Sequence, residues 1–327
     1  MDTKDIENGL FEISSEREFN ELAIEIFHYQ YDTVTIYREF VDSVSIDTRL
    51  IKHYREIPFL PVEFFKTHRI ISSGLKEEKI FLSSGTTGTT QSRHFVADLS
   101  LYEKSFIKGF EYFYGSPEEF TFLALLPSYL EREGSSLVYM AEKLIKASGN
   151  PDSGFFLHDY DRLAKILSGI NSKKVFLLGV TYALLDLAEK YNLNLTDAIV
   201  METGGMKGKR KEIVREELHL MLKAGFGVGK IHSEYGMTEL LSQAYSQGDG
   251  IFHTLPWMKI LIRDTNDPLS LLENGKTGGI NIIDLANIHS CSFIATQDLG
   301  KKYNDGSFEV LGRFDSSDIR GCNLMIG

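Results

Sequence analysis

The densest set of anion-binding groups in the sequence is the run Phe81-Leu82-Ser83-Ser84-Gly85-Thr86-Thr87-Gly88-Thr89-Thr90-Gln91-Ser92-Arg93. A short apolar stretch feeds a turn in which glycines let backbone amides approach an anion closely. The serine and threonine hydroxyls add donors that need no titration, and Arg93 supplies a positive charge that can grip phosphate oxygens bidentately. The chemistry this predicts is phosphate binding by Ser84, Gly85, Thr86, Thr87, Gly88 and Arg93. It is not a P-loop, which ends in Gly-Lys-Ser/Thr, because the run holds no lysine. A polar surface turn is the competing reading, since Ser, Thr and Gly gather in loops anyway. The density of the run and the strand-like stretch before it rank phosphate binding higher.

Further groups with chemistry follow in order. Tyr235-Gly236-Met237-Thr238-Glu239 offers an aromatic face, a hydroxyl and a carboxylate within five residues, suited to stacking on a base, reaching a phosphate and holding a hard cation. On its own it reads as a turn leading into a helix. Asp298, in Thr296-Gln297-Asp298-Leu299-Gly300, is a natural acceptor for a vicinal diol, or else a turn aspartate. Gly312-Arg313-Phe314-Asp315 and Asp318-Ile319-Arg320-Gly321 come next, near the end. Upstream, Glu202-Thr203-Gly204-Gly205 follows a strand-like run. The cluster Lys207, Lys209, Arg210 and Lys211 reads as a solvated helix face, and Gly225, Gly227 and Gly229 as a loop. There are two cysteines. Cys291 sits in an apolar run and reads as buried. Cys322 lies beside Arg320, whose charge favours a thiolate, and reads as a nucleophile or else as incidental.

These groups need elements to hold them. Residues 1–75 read as mainly helical, with Phe19, Leu22, Ile26 and Tyr29 at helical spacing, and Ile57-Pro58-Phe59-Leu60-Pro61 breaks that pattern. From residue 76 to 327 short apolar runs alternate with amphipathic segments. Phe120 to Leu126, Val175 to Leu178 and Ala198 to Met201 read as buried strands. Tyr102, Phe106, Phe110 and Phe113 form a helical stripe opened by a capping box from Ser100 to Glu103, and Ile213, Val214, Leu218 and Met221 form another. Strand and helix in alternation predict a layered α/β domain with a helical N-terminal region packed on its core.

Composition narrows the partners. The 327 residues carry a formal net charge of −11, which argues against a nonspecific grip on nucleic acid or anionic lipid. No basic stretch precedes an apolar run at the N-terminus, and no run of about 18 apolar residues occurs, so neither a signal peptide nor a membrane span is expected. Two cysteines make no disulfide framework, and the expected compartment is the reducing cytoplasm.

Taken together, the motifs resemble those of the adenylate-forming superfamily, which includes the acyl-CoA synthetases and adenylation domains. Ser84-Gly85-Thr86-Thr87-Gly88 is similar to its phosphate loop, although Thr90 and Gln91 stand where proline and lysine are usual, leaving Arg93 as the stand-in. Tyr235-Gly236-Met237-Thr238-Glu239 resembles Tyr-Gly-x-Thr-Glu, Thr296–Gly300 resembles Thr-Gly-Asp-Leu-Gly, and Gly312–Asp315 resembles Gly-Arg-x-Asp, with the hinge sequence at Asp318–Gly321. The resemblance spans roughly residues 79 to 322 and implies ATP and Mg²⁺ as cofactors. It implies Tyr235 and Gly236 at the adenine, Gly204 and Gly205 as backbone against it, Thr238 at the α-phosphate, Glu239 on magnesium, and Asp298 and Arg313 at the nucleotide.

Members of that superfamily continue past the hinge into a small C-terminal domain, whereas this sequence ends at Gly327. The expectation is therefore a large domain lacking the small one. The segments Ile57 to Phe65, Leu126 to Met140 and Glu202 to Lys207 look like the short acyl-protein synthetases (long-chain-fatty-acid–luciferin-component ligases). That resemblance implies activation of a carboxylic, chiefly fatty, acid and its transfer to Cys322 as a thioester. The acyl acceptor beyond it would be a reductase, a carrier protein or CoA. The alternatives are a truncated CoA or carrier-protein ligase that ignores Cys322, and a nucleotide-binding scaffold without catalysis.

Overall fold

The computed structural model describes residues 3–84, 90–127, 134–169, 174–191, 193–205, 210 and 213–313. They divide into two compact units. One takes in residues 3–105, 237–242 and 253–313, the other residues 106–236 and 243–252, each apart from its undescribed positions.

In the first unit the helices Thr3–Leu10, Glu16–Thr33 and Thr35–Ser43 lead the chain. Glu16–Thr33 starts where Ser15 and Glu18 cap each other reciprocally, the Glu18 amide donating to Ser15 Oγ at 3.3 Å and the Ser15 amide to Glu18 Oε2 at 3.1 Å. Its buried face is Phe19, Ala23, Ile26, Phe27 and Gln30. The third helix ends at Ser43, and beyond two short 3-10 turns the segment around Pro58 and Pro61 is extended, with Leu60–Pro61 a two-residue strand before a short helix, Phe64–Thr67. That strand runs parallel to Phe293–Lys302, pairing Leu60 with Ile294. Phe293–Lys302 also pairs antiparallel with Thr277–Asp284 and with Phe308–Arg313, and Thr277–Asp284 pairs with Met258–Arg263. Phe27, Tyr37 and Phe59 surround the ring of Phe293, which ties the N-terminal helices to this sheet. A separate hairpin joins Lys79–Leu82 to Arg93–Val96 and pairs Leu82 with Arg93 across the hydroxyl-rich turn.

The second unit is built on parallel strands. Phe120–Leu125, Lys174–Val180, Ile199–Thr203 and His232–Tyr235 pair in that order. Gly154–Phe155 lies on one outer strand, and Ala244–Ser246 pairs antiparallel on the other. All six residues of Phe120–Leu125 are buried, the continuous apolar run of a strand covered on both faces. The aromatic core of this unit brings Phe110, Tyr114, Phe120 and Phe122 against Phe176.

Four local expectations differ from the structure. Helix Leu99–Tyr114 buries Tyr102, Phe106 and Phe110 as its spacing predicts, but Asp98 caps it rather than a box from Ser100. Asp98 Oδ1 accepts from the amides of Ser100 and Leu101; a carboxylate oxygen is a stronger acceptor than a hydroxyl, and Ser100, two residues on, is already inside the helix. Helix Arg215–Phe226 buries Leu218, His219, Leu222 and Phe226, whereas Val214 and Met221 are exposed. Gly225 belongs to that helix rather than a loop: a Cβ there would lie 2.5 Å from the Ala188 Cβ, so glycine allows two helices to approach. Gly227, at φ +66°, is its left-handed cap. Arg210 precedes the helix and is ion-paired, its guanidinium donating to Asp186 and Glu189.

Candidate nucleotide and carboxylate-activation site

In the first unit the hydroxyl-rich turn is pinned at its stem. The Ser83 amide donates to the Ser92 carbonyl at 3.1 Å, the Ser92 amide to Ser83 Oγ at 2.9 Å, and Gln91 Nε2 to the Ser83 carbonyl at 2.7 Å. Gln91, at the position where the resemblance expects lysine, therefore holds the stem. Ser84 is exposed at the mouth of the turn. Gly85, Thr86, Thr87 and Gly88 lie outside the described residues, as does Cys322. Arg93 is exposed, with its guanidinium 5.7 Å from the centre of the Phe95 ring.

The same unit holds Thr238 and Glu239 in a turn after Tyr235-Gly236. Glu239 is buried, and that burial pushes its carboxyl above the usual range. A hydrogen bond from Ser92 and the charge of Arg313 pull it back, while the charge of Asp298 pushes it further up. Asp298, opposite Arg313 in the strand register, is ion-paired with it, Oδ1 lying 3.3 Å from Nε. The aspartate side chain is 11% exposed and the arginine 73%, so the pair has one anchored and one solvent-facing member. The structure thus brings Glu239, Asp298, Arg313 and the stem serine Ser92 into one electrostatic neighbourhood.

Asp298 is positioned by its own strand. Thr296 Oγ1 accepts from the Asp298 amide at 3.1 Å and donates to the Ile280 carbonyl at 2.9 Å. Buried Arg263 donates to the carbonyls of Ile280 and Thr296 and to Asn281 Oδ1. Gly279 makes room for it, since a Cβ there would fall 2.5 Å from the guanidinium carbon. Gln297, where the resemblance expects glycine, donates to Glu63 Oε1.

The turn of Thr238 and Glu239 depends on side chains that the motifs do not contain. His94 Nδ1 is 2.8 Å from the Thr238 carbonyl, and its Nε2 is 3.0 Å from Asn287 Oδ1. Asn287 Nδ2 donates to the carbonyls of Glu239 and Cys291, each at 2.8 Å. Those two carbonyls fix the amide orientation and leave Oδ1 facing the imidazole. Asp284 Oδ2 accepts from the amides of Leu241 and Ser242 at 2.8 and 2.9 Å. Burial pushes His94 down to about 4, so the ring is neutral near pH 7 and has one N–H for two acceptors. Gln30 anchors the far side, donating to the carbonyls of Asn287 and Ile288 and to Ser292 Oγ. A histidine in the buried alternation after Arg93 is the one hint in the sequence; Asn287, Asp284 and Gln30 leave no signal there.

In the second unit Gly204 and Gly205 follow the strand Ile199–Thr203, and Tyr235 and Gly236 end or follow the adjacent strand His232–Tyr235. The pairing of Met201 with His232 and Glu202 with Ser233 brings the two strand ends side by side. The carboxyl ends of parallel strands are where open α/β sheets bind ligands. Both glycines have positive φ, +73° and +61°. Thr203 Oγ1 donates to Glu234 Oε2, linking the strands just below. Tyr235 is half-buried, with Phe252 edge-on at 6.0 Å. Beneath, buried Glu202 accepts from Thr181 Oγ1 at 3.2 Å and lies 3.8 Å from His219 Nε2. His219, Ser233 and Arg215 hold its carboxyl below the usual range despite burial.

No protein-family model matches the chain, and no curated protein matches it. Solved structures do. ATP-bound MatB from Rhodopseudomonas palustris aligns with a TM-score of 0.55 at 20% identity, over 72% of this chain and 47% of that one. An open conformation of 2-hydroxyisobutyryl-CoA ligase, in complex with 2-HIB-AMP and CoA, aligns at 0.67 and 12% identity, over 92% of this chain and 71% of that one. The chain has the layered α/β fold of the large domain of adenylate-forming ligases. It spans about half the length of MatB. Among the described residues no helix is long and apolar enough to cross a membrane.

The oxygen donors here are of the type a hard cation takes. Glu239 and Asp298 put hard carboxylate oxygens beside one solvent-facing guanidinium. Among the described residues no group of three or more His, Cys, Asp or Glu could hold a metal. A cation here would therefore take Glu239 and draw its other ligands from phosphate and water, as Mg²⁺ commonly does.

Proposed function

We propose that the chain activates a carboxylic acid with ATP, forming an acyl-adenylate and pyrophosphate, and passes the acyl group to a thiol. The observation that carries the reading is the convergence of Glu239, Asp298, Arg313 and Ser92 in a fold shared with CoA ligases. In this reading Asp298 accepts from the ribose hydroxyls, and Arg313 turns from Asp298 towards the nucleotide. Tyr235 stacks on adenine, with Gly204, Gly205 and Gly236 leaving space for it. Thr238 donates to the α-phosphate, and the hydroxyl-rich turn with Arg93 holds the remaining phosphates. Glu239 would hold Mg²⁺, which would supply charge neutralisation on the phosphate oxygens.

The acid's carboxylate oxygen attacks the α-phosphorus, and the bond to the pyrophosphate oxygen breaks. The protein's contribution is orientation and electrostatic stabilisation, so no general base is needed. The finer reading assigns Cys322 as the thiol: its sulfur attacks the acyl carbonyl and AMP leaves, giving a thioester for delivery to a reductase, a carrier protein or CoA. A fatty acid is the favoured substrate class, on the resemblance to acyl-protein synthetases. A second reading, direct transfer to CoA, is favoured by the likeness to a ligase crystallised with an adenylate and CoA.

Intact-protein mass spectrometry after incubation with Mg·ATP and a panel of fatty acids separates them. A hydroxylamine-labile acyl adduct on the wild type and none on Cys322→Ser is the expected result. Acid-dependent pyrophosphate release from both proteins with no adduct on either would keep the adenylation and end the role of Cys322. No pyrophosphate release across a broad panel of carboxylic acids would end the whole reading.

A further inference from the structure

The Thr238–Glu239 turn is unusual in how its backbone is satisfied. These residues sit in no strand or helix, so no ladder takes up their carbonyls. Each carbonyl is instead held by a buried side chain, Thr238 by His94 and Glu239 by Asn287, and those two side chains contact each other. Their origins matter. His94 lies on the strand that leaves the hydroxyl-rich turn, two residues after Ser92, whose side chain bonds the Glu239 carboxylate. Asn287 lies in the turn between the strands Thr277–Asp284 and Phe293–Lys302, the second of which carries Asp298. A single buried relay therefore joins three of the segments assigned above to one nucleotide.

We propose that His94 and Asn287 are positioning residues that set where the Thr238 hydroxyl and the Glu239 carboxylate stand relative to the phosphate turn and Asp298. This inference rests on the function proposed above and names residues that never touch substrate. Mere filling of a core would need an apolar ring of the same size. What the geometry shows is a ring with both nitrogens on acceptors, and an amide with all its polar atoms on partners. In the tautomer protonated at Nδ1 the ring's one N–H serves the Thr238 carbonyl, and the amide nitrogen of an asparagine at position 94 would occupy nearly the same place. A glutamine there would reach instead towards Asn287, near the place of Nε2.

The test compares wild type with His94→Asn, His94→Gln, His94→Phe and Asn287→Leu. It reads acid-dependent pyrophosphate release, the Mg²⁺ concentration for half-maximal rate, and Mg·ATP binding by calorimetry. Misplacement by about an ångström costs up to about 10²-fold in rate, so His94→Phe and Asn287→Leu should lose at least about tenfold in kcat and need more Mg²⁺. His94→Asn should keep kcat within about threefold and exceed His94→Gln by about tenfold. Where His94→Phe or Asn287→Leu fails to fold, the ratio of Asn to Gln decides alone. Equal activity in those two, or a fall in Tm with kcat, Mg²⁺ requirement and Mg·ATP affinity unmoved in all variants, would overturn the proposal. A wild type that neither binds Mg·ATP nor releases pyrophosphate would instead refute the function, and this inference with it.

Discussion

Glu239 is a carboxyl that water scarcely reaches, and the charges of Asp298 and Arg313 act on it with opposite sign. Its protonation is therefore a report on its neighbours. In the Mg²⁺-free protein, Asp298→Asn removes a negative charge that raises the Glu239 pKa, so the value should fall. Arg313→Gln removes a positive charge that lowers it, so the value should rise. Carbon-detected NMR of glutamate carboxyls across pH checks both directions; shifts of the same sign in both variants would contradict the neighbourhood described. The exposed Arg313 also means that the pair itself adds little stability, and neither variant should lower Tm appreciably.

At the scale of the element, the cap of helix Leu99–Tyr114 gives a clean comparison. Asp98→Ala should cost about 1 kcal/mol in urea denaturation, whereas Ser100→Ala should stay within about 0.5 kcal/mol. The reverse order would restore the box read from Ser100. The two candidates show why such details are hard to read in advance: both residue types cap helices, and only backbone geometry chooses between them. The strands of the second unit are legible because burial on both faces writes itself as unbroken apolar runs, as in Phe120–Leu125. The outward-facing Val214 and Met221 mislead because they are apolar yet solvent-facing. The motif side chains of the site are legible for a different reason. Their types match phosphate, diol and metal chemistry within short spans. His94 and Asn287 are not legible, because their partners are backbone carbonyls 144 and 48 residues away, which any residue could supply.

For the whole molecule, acid is the informative stress. His94 and His232 are buried and held down to about 4, against an ordinary value of 6.5. Between those values the unfolded chain binds more protons than the folded one. Stability from these two groups is therefore complete above pH 6.5, declines as pH falls towards 4, and changes little below. The ceiling is about 3 kcal/mol for each histidine. Urea midpoints measured from pH 7.5 to 4 should show that fall, and His232→Gln should flatten part of it. A profile level from pH 6.5 to 4.5 would mean that neither ring is buried as neutral imidazole.

Cys291 has no exposed surface, donates its Sγ–H to the Phe293 carbonyl, and is pushed up to about 12 by burial. The chain has one other cysteine, Cys322. Alkylating reagents attack thiolates, so at neutral pH the folded protein keeps Cys291 from them. Iodoacetamide should leave Cys291 unlabelled under native conditions and label it in urea, with peptide mapping as the check. Any acyl, fluorophore or affinity tag attached through sulfur to the folded protein then reports on Cys322 with no background to subtract.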